Sequence, residues 1–503
     1  MARLVILDLY KTMDYLDSTK RLRDHLVLMV GYVLVAITIT IATLVLVYQA
    51  YGFGLSKNDT VIQNGLVFLS SQPNPANIYI NGTLNAATTN TRLYLPSGSY
   101  TVKLTRTGYR PWRRVITFDA GEVEHFDYPL LFPKKLETSS IHTYTNAPSI
   151  VTQSPNRQWL LVEQPGSITN FDLYNLKNPA SPVMTTITIP SNILSKANIS
   201  ESWQLDEWAN DNQHVLLTHV FDGKTEYILV DIANPSQSVN LSNLYGNPTA
   251  ISLNNKQYNL YYIFNSAAQT LTTAGLATGN TVTPYLSGVL AYQSYGSNTM
   301  LYVTNEGAPS GKVALKLLSG SQTIVIRNLP ISPTYLLNLT TYSGNLYVAA
   351  GSTSSGQIYI YENPISQYTN QSGDIIPSQI LTVANPNFLN FSDNAQFIAV
   401  EDGTTFAVYD IQNQQAYTYT IPHPLDTPQV SASWMDGDRL TYISAGKLIV
   451  FDYDGTNLQV LMPALPNYLP AFSTNYRYVF VFAPSKANKV RLTSTPLLTP
   501  PDL

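Results

Sequence analysis

One long uncharged run near the N-terminus constrains this chain more than any other sequence feature. Residues 26–48 carry no charged side chain and exceed the about 20 residues that a helix needs to cross a hydrocarbon core. They lack the polar face that a helix packed on a soluble core would present. Tyr48 and Tyr51 lie where an interfacial aromatic belt is expected. The run therefore predicts a transmembrane helix over residues 26–51.

The charges that flank this run predict its orientation. A basic cluster at 20–23 precedes the run, whereas the first charges beyond it, Lys57 and Asp59, cancel each other. Basic residues stay on the cytoplasmic side, so we expect a cytoplasmic tail over residues 1–25 and an extracytoplasmic C-terminal bulk in a single-pass protein of the cell membrane. A cleaved signal peptide is the alternative. The run is longer than a typical signal core, and no small-residue cleavage motif directly follows it.

The composition of the chain excludes several classes of site. Only 12% of the 503 residues are charged, about half the usual share, so Ser, Thr, Asn, Gln and 35 Tyr must supply the polar surface. The formal net charge of -4 argues against nucleic-acid binding, which needs clustered Lys and Arg. The chain has no cysteine, which excludes disulfides, iron–sulfur clusters, thiolate zinc sites and a cysteine nucleophile.

A short linker over residues 52–64 is predicted to lead into a small β domain over residues 65–135. Its short runs alternate polar and apolar residues and are separated by Pro, Gly and Asn turns, as in a sheet of hairpins. Gly82, Gly98 and Gly108 are predicted to supply positive φ in these turns.

This region resembles the PEGA domain family. The matching segments are Pro-Asn-Pro-Ala at 73–76, Ile-Tyr-Ile-Asn-Gly at 78–82, Leu-Pro-Ser-Gly-Ser-Tyr at 95–100 and Gly-Tyr at 108–109. Pro75 stands where the family usually has glycine, so that turn needs a φ compatible with proline. The resemblance implies a small β-sandwich with a spacer or binding role, and it supplies no catalytic residue.

The remaining residues, 138–503, repeat one pattern: an apolar strand, a polar turn and a second apolar strand, often followed by a third. Eight such units occur, at residues 152–163, 207–219, 252–263, 292–303, 339–350, 391–402, 434–445 and 472–483. Their spacing of about 46 residues is that of a propeller blade. Repeated short strands without helical periodicity predict a β-propeller of eight blades, with seven as the alternative. A pair of β-sandwiches is the second possible fold.

These repeats resemble those of TolB-like and WD-repeat propellers. The first unit carries the Ser-Pro-polar-polar strand pair of the TolB-like family at 154–157, and residues 208–217 with 227–232 form the clearest single unit. A blade cannot bury its faces alone, so the ring must close. Residues 139–145 are predicted to supply the missing outer strand of the last blade.

Enzyme motifs are missing from the sequence. It has no Gly-x-Ser-x-Gly elbow, no His-Glu-x-x-His and no complete phosphate loop. We interpret residues 223–225 as a hairpin turn and residues 452–455 as a turn between the third and fourth strands of a blade. His214 and His219 are an odd number of positions apart in one strand, so they cannot ligate the same metal. His125, His142 and His423 have no neighbouring ligand pattern.

One acidic cluster could resemble a glycosidase site. Asp206, Glu207 and Asp211 lie near Trp203 and Trp208. Since they fall where other units have turn residues, we interpret them as structural. Asn-x-Ser/Thr sequons occur at Asn58, Asn81, Asn198, Asn240, Asn338, Asn370 and Asn390. They would matter where surface proteins are glycosylated.

The sequence thus predicts a mainly β protein with one transmembrane helix, a small β-sandwich and a β-propeller. It predicts no enzymatic activity and assigns no catalytic, cofactor-binding or metal-binding residue. The expected partners are the lipid bilayer and an envelope protein or glycan, bound by the propeller. The alternatives are an extracytoplasmic carbohydrate-active enzyme with its site in the propeller channel and a self-associating structural component of the envelope.

Overall fold

The computed structural model describes residues 18–50, 53–55, 61–276, 283–368, 374–427, 431–500 and 502. The chain divides into two compact units. The first comprises Met1–Thr107 and Pro111–Leu131, and the second comprises Gly108–Arg110 and Phe132–Leu503.

The N-terminal apolar run forms helix α1, Ser18–Ala50. Its stretch His25–Tyr48 has a mean hydropathy of 2.5, and none of it is buried in the protein. The hydroxyls of Thr38 and Thr40 donate to the carbonyls four residues earlier, at 2.8 Å in both cases, so these polar groups are satisfied within the helix. By length and composition, α1 fits a signal sequence or a single membrane anchor.

The first unit also holds two four-stranded sheets. Their strands are β1 Phe53–Leu55, β2 Val61–Leu69, β3 Asn77–Ile80, β4 Thr83–Thr88, β5 Thr91–Pro96, β6 Gly98–Thr105, β7 Trp112–Phe118 and β8 Val123–Phe126. One sheet has the order β1–β2–β5, with β8 parallel to β2, and the other has the order β4–β3–β6–β7. Strand β1 and the first residues of β2 lie within the stretch that the sequence predicts as a linker.

Strand β4 is a second element of this unit that the sequence interpretation missed. Its sequence, TLNAAT, has few large apolar residues, and its residues are mostly exposed. It forms because the turn at Asn81 and Gly82, with φ of 49° and 83°, returns the chain along β3. Gly108 also has a positive φ, of 84°, as predicted. The buried core of the two sheets consists of Val67, Leu69, Ile78, Leu93, Val102, Leu104, Trp112, Ile116 and Phe126.

The second unit consists of eight antiparallel sheets of four strands each. Its first strand is β9 Ser139–Tyr144. Blade 1 has β10 Val151–Gln153, β11 Trp159–Gln164, β12 Ser167–Asn175 and β13 Val183–Thr188. Blade 2 has β14 Glu201–Trp208, β15 His214–Phe221, β16 Lys224–Asp231 and β17 Val239–Asn240. Blade 3 has β18 Ala250–Leu253, β19 Leu260–Asn265, β20 Thr270–Gly275 and β21 Thr283–Leu286.

Blades 4 to 7 continue this pattern along the chain. Blade 4 has β22 Val289–Tyr295, β23 Thr299–Thr304, β24 Lys312–Ser319 and β25 Gln322–Pro330. Blade 5 has β26 Tyr335–Tyr342, β27 Asn345–Ser352, β28 Gln357–Glu362 and β29 Gln379–Thr382. Blade 6 has β30 Phe388–Phe391, β31 Phe397–Glu401, β32 Thr405–Asp410 and β33 Gln415–Thr420. Blade 7 has β34 Ser433–Trp434, β35 Arg439–Ser444, β36 Lys447–Asp452 and β37 Gln459–Pro463.

Blade 8 closes the ring. Its inner strands are β38 Ala471–Phe472, β39 Tyr478–Pro484 and β40 Val490–Pro496. Its outermost strand is β9, which pairs with β40 from Val490 opposite Tyr144 to Ser494 opposite Ser139. The predicted closing strand and the count of eight blades are therefore confirmed, and the second unit is an eight-bladed β-propeller.

Short helical segments lie in the connections between these strands. They are α2 Leu241–Tyr245, α3 Pro364–Gln367 and the 3-10 turns Ser191–Ile193, Pro235–Gln237, Asn254–Lys256 and Lys486–Asn488.

Apolar layers between neighbouring blades hold the ring together. Blades 8 and 1, for example, share a buried cluster that includes Tyr144, Leu160, Phe480 and Leu492. Comparable clusters lie between blades 1 and 2, 2 and 3, 3 and 4, 4 and 5, and 5 and 6. Blades 1 to 5 thus each bury both of their faces, which explains why their central strands are almost continuously apolar.

Candidate functional site at the inner turns of the propeller

Side-chain contacts join the first strands of blades 8, 1 and 2 to one another, which places these strands innermost in the ring. The Trp208 indole N–H of blade 2 donates to Thr152 of blade 1 at 2.8 Å. Gln153 of blade 1 in turn donates to the Phe472 carbonyl of blade 8 at 2.8 Å. Because the first strands adjoin one another around the axis, the turns that follow them meet at one end of the ring. We call these first-to-second-strand turns the inner turns.

Three inner turns share a local hydrogen-bond pattern that their sequence explains. In blade 1, the Ser154 hydroxyl accepts the Trp159 N–H at 3.0 Å, and the Asn156 side-chain oxygen accepts the Gln158 N–H at 3.0 Å. Blades 6 and 8 repeat this Ser-x-Asn-x-x-aromatic arrangement, at 392–397 and 473–478. Short polar side chains stabilise such turns by bonding to the nearby backbone.

Arg157 connects the inner turns of four blades. Its guanidinium forms a salt bridge with Asp393 of blade 6 and donates to the Met435 carbonyl of blade 7 at 3.2 Å. It also lies over the ring of Tyr476 of blade 8, with the guanidinium carbon 4.2 Å from the ring centre. The Tyr476 hydroxyl donates to the same Asp393 carboxylate at 3.2 Å. We call Arg157, Asp393, Tyr476 and Met435 the inner-turn cluster.

The electrostatics of this cluster reflect its enclosure by the turns. Desolvation raises the pKa of Asp393, and the charge of Arg157 partly offsets this effect. Burial also raises the pKa of Tyr476 to about 12, so this phenol stays a neutral donor. The Arg157 side chain is only 17% exposed and the Asp393 side chain 42%. The pair is therefore a partly desolvated ion pair rather than a loose surface contact.

A close backbone approach fixes the turn of blade 7 against that of blade 6. A Cβ built on Gly437 would lie 2.5 Å from the side-chain nitrogen of Asn394. A larger residue at position 437 would therefore have to displace the Asn394 side chain. The four turns thus form a rigid, hydrogen-bonded surface, with Pro155 and Thr474 exposed at its edge. Such a surface can recognise a partner, and the Asp393 carboxylate within it is already paired with Arg157.

The three acids that resemble a glycosidase site in the sequence do not form one site in the fold. Asp206 accepts from the Thr218 hydroxyl at 2.6 Å, whereas Glu207 pairs with Lys256 of blade 3. Asp211 accepts the His214 N–H at 3.0 Å and lies 2.6 Å from the ring nitrogen of that histidine. Each carboxylate therefore has its own partners.

The expectation that all three acids occupy turn positions is wrong for two of them. Asp206 and Glu207 lie in β14, and only Asp211 lies in the turn that follows. A β-bulge at Leu205 to Glu207 allows this first strand to continue over eight residues. Desolvation raises the pKa of Asp206 to about 6, and the hydrogen bond from the Thr218 hydroxyl partly offsets this effect.

The side chains of the two histidines of blade 2 lie in different environments, as expected for residues an odd number of positions apart in one strand. His214 stacks on Tyr258 with ring centres 4.0 Å apart. His219 is fully buried, and its Nδ1 lies 2.8 Å from Glu226. Within the described residues, no group of three or more His, Cys, Asp or Glu side chains is placed to hold a metal ion.

The other residues weighed from the sequence have structural roles. Asp222 and Gly223 form the hairpin turn between β15 and β16, with φ of 47° and 76°. Asp452 ends β36 and accepts from Asn457 at 2.9 Å in the turn before β37. His125 stacks on Phe68 in the first unit at 4.5 Å, and His142 meets Tyr144 at 4.6 Å. His423 is exposed in the connection after blade 6.

Several sequon asparagines are used by the fold itself. Asn240 is 5% exposed and donates to Glu226 at 2.9 Å and to the Ile193 carbonyl at 2.8 Å. Asn338 donates to Asn390 of the next blade at 3.1 Å. The sequons at 58 and 370 lie outside the described residues.

The sequence analysis did not predict the inner-turn cluster, because Arg157 and Asp393 lie 236 positions apart in the sequence. The Ser-x-Asn pattern marks the turns, but it does not say which turns meet. Only the order of the blades around the ring brings Arg157 to Asp393.

Known structures resemble the chain at low identity. The Dos1 propeller covers 71% of this chain and 94% of its own length, with 13% identity and a TM-score of 0.44. Hsv2 of Kluyvelomyces marxianus covers 63% and 97%, with 12% identity and a TM-score of 0.40. An oligogalacturonate lyase from Vibrio parahaemolyticus covers 72% and 99%, with 10% identity and a TM-score of 0.37. At these identities and TM-scores, the resemblance says nothing about a ligand, substrate or partner of this chain.

No curated protein matches the sequence. The first unit, by contrast, matches a known family over most of its sheets. Residues 64–131 fit the sequence profile of the PEGA domain. The chain therefore carries a PEGA domain, followed by an eight-bladed β-propeller.

Proposed function

We propose that the protein is a single-pass membrane-anchored scaffold without enzymatic activity. In this proposal α1 anchors the chain with its N-terminus in the cytoplasm, and the PEGA domain acts as an extracytoplasmic spacer. The propeller then presents a binding surface to a protein or glycan of the cell envelope.

The observation that carries the binding role is the inner-turn cluster. Turns from blades 1, 6, 7 and 8 are locked together by Arg157, so their exposed edges have fixed positions. A preorganised surface loses little conformational entropy on binding, which favours affinity. Loops held by a rigid scaffold are also where recognition usually lies.

The anchor and its orientation are supported by the sequence around α1. The stretch His25–Tyr48 is longer than a membrane span requires. The basic cluster at 20–23 precedes it, and no excess of basic residues directly follows it. The extracytoplasmic position of both folded units is the prediction that follows.

Site-specific photo-cross-linking in the native membrane tests the binding role. A photoreactive residue would replace Thr474 at the inner turns, and Val183, which is 64% exposed on the outer strand β13, would serve as the matched control. We expect position 474 to capture one envelope protein or glycan reproducibly and position 183 not to. Equal capture from both positions, or capture only of further copies of this chain, would contradict the proposal.

The orientation has its own test, because a chain without cysteine accepts single reporters cleanly. A Ser99→Cys variant places a thiol on the PEGA domain, and Ser18→Cys places one at the start of α1. We expect a membrane-impermeant maleimide to label the first variant on intact cells and the second only after lysis. The opposite result, or loss of α1 from the mature protein, would refute the anchored topology.

A further inference from the structure

One face of the PEGA-domain sheet is exposed and carries aromatic and polar side chains in register. Antiparallel pairing of β2 with β5 places Leu66 opposite Tyr94 and Phe68 opposite Arg92. Parallel pairing of β2 with β8 places Phe68 opposite His125. Side chains two positions apart in a strand share a face, so these residues form two adjacent rows across three strands.

The opposite face of these strands packs into the buried core, so the exposed rows do not contribute to that core. Val67 and Leu69 are each 1% exposed, whereas Tyr94 is 53% and Val123 51% exposed. The rings of Phe68 and His125 stack at 4.5 Å with an interplanar angle of 4°. The outer face therefore presents ordered rings to solvent.

A depression of about 480 Å³ lies at the end of these rows. Its lining residues are Phe68, Ser70, Asn90, Thr91, Arg92 and Asp127. The Asp127 carboxylate is held in place, since the Ser70 hydroxyl donates to it at 3.0 Å and His125 Nδ1 lies 3.8 Å from it. This volume falls within the about 300–1,000 Å³ range of small-ligand sites.

The chemistry of this lining fits a neutral sugar. A pyranose ring has an apolar C–H face, which an aromatic ring such as Phe68 can contact, and hydroxyls that both donate and accept. Arg92 and Asn90 offer hydrogen-bond donors, and Asp127 offers charged acceptor oxygens. The charges of Arg92 and Asp127 cancel, which disfavours a nucleic acid or another polyanion.

We propose that this face of the PEGA domain is a carbohydrate-binding site for a neutral pyranose unit of an envelope polysaccharide. Phe68 contacts the apolar face of the sugar, and Arg92, Asn90 and Asp127 hydrogen-bond its hydroxyls. The site is separate from the inner-turn cluster of the propeller. It gives the PEGA domain a binding function in addition to its proposed role as a spacer.

Saturation-transfer NMR on the full chain in nanodiscs tests the proposal, because this method detects weak ligands of large particles. The probes are tetrasaccharides of glucose, mannose, galactose and N-acetylglucosamine, each at millimolar concentration. We expect transfer to at least one of them. Phe68→Ala and Arg92→Ala should each weaken its binding about tenfold or more, since each removes one principal contact.

Two further variants keep the test decisive. Arg113→Ala removes the same charge from the other sheet, on β7, and should leave sugar binding unchanged. Asp127→Asn preserves the shape of the depression and should weaken binding even if Phe68→Ala destabilises the domain. Unfolding temperatures of all variants would establish that they are folded.

Three outcomes would overturn the proposal. The first is that none of the four sugars shows transfer. The second is that a sugar binds equally well to the wild type and to the Arg92→Ala and Asp127→Asn variants. The third is that a photoreactive residue at Tyr94 attaches to nanodisc acyl chains and that sugar does not change this yield, which would make the face a membrane-contacting surface.

Discussion

Strand β9 closes the propeller, and the side chain that tests this closure most directly is Tyr144. It is 4% exposed and belongs to the apolar cluster shared by blades 8 and 1. Its hydroxyl donates to Asp172 at 2.9 Å and lies 2.7 Å from the Tyr174 hydroxyl. Burial raises the pKa of Tyr144 well above its usual range, so the phenol remains a neutral donor.

The expected cost of losing this side chain has two parts. Replacing a buried aromatic residue by alanine costs about 3–5 kcal/mol. Removing a donor from the buried Asp172 costs about 1–3 kcal/mol more. The total for Tyr144→Ala is therefore roughly 4–8 kcal/mol. Tyr144→Phe removes only the hydroxyl and should cost about 1–3 kcal/mol.

These free energies translate into changes in Tm. An unfolding entropy of about 2.1 cal/mol/K per residue over roughly 360 propeller residues gives about 0.75 kcal/mol per degree. Tyr144→Ala should therefore lower Tm by about 5–11 °C and Tyr144→Phe by about 1–4 °C.

Tryptophan fluorescence of the full chain in detergent measures this transition, since Trp203 and Trp208 are buried in blade 2. Tyr94→Ala, at an exposed position of the PEGA domain, is the matched control and should leave the propeller transition unchanged. If Tyr144→Ala melted within a degree of the wild type, β9 would not contribute to closure, and the reasoning would be refuted.

Three further predictions concern other parts of the propeller. Arg157→Ala should lower the free energy of unfolding by about 1–2 kcal/mol because it leaves Asp393 without its charge partner. Asp393→Asn should cost less in the Arg157→Ala background than in the wild type, and thermal unfolding of the double-mutant cycle measures this coupling. Additive costs of the two substitutions would contradict the prediction. Burial raises the pKa of Glu401 from 4.5 to about 7, so the wild type should lose about 3 kcal/mol of stability as pH rises through this interval. Glu401→Gln should remove that loss, and equal Tm changes between pH 5 and pH 8 in both proteins would disprove it. Gly437→Ala should cost about 1–3 kcal/mol by overpacking against Asn394, as measured by Tm, and the cost should shrink in an Asn394→Ala background.

Much of the fold could be predicted because each blade repeats a local pattern. The eight predicted units coincide with the eight first-to-second-strand hairpins, whose apolar second strands are buried on both faces. The closing strand β9 was predictable since a ring of blades leaves one outer position to be filled. Strand β4 was not, because its stability comes from pairing with β3 rather than from apolar residues of its own.

The inner-turn cluster could be predicted only in part. The turns themselves follow from Ser154, Asn156 and their counterparts, whose side chains bond to the nearby backbone. The contact between Arg157 and Asp393 depends on blades that are distant along the chain, so no local pattern contains it. The bulge that extends β14 and keeps Asp206 out of the turn likewise depends on pairing with β15.

Tight turns throughout the two units account for part of the asparagine content of the chain. Several types of tight turn need a residue with positive φ, and asparagine tolerates that conformation better than most other side chains. Of the 18 non-glycine residues with positive φ in the described part of the chain, eight are asparagine. Asn81, with φ of 49°, also accepts the Thr101 N–H at 2.8 Å, so this sequon asparagine has a structural role. A glycan on Asn240 would displace its two buried hydrogen bonds, so that sequon is explained by the fold and not by glycosylation.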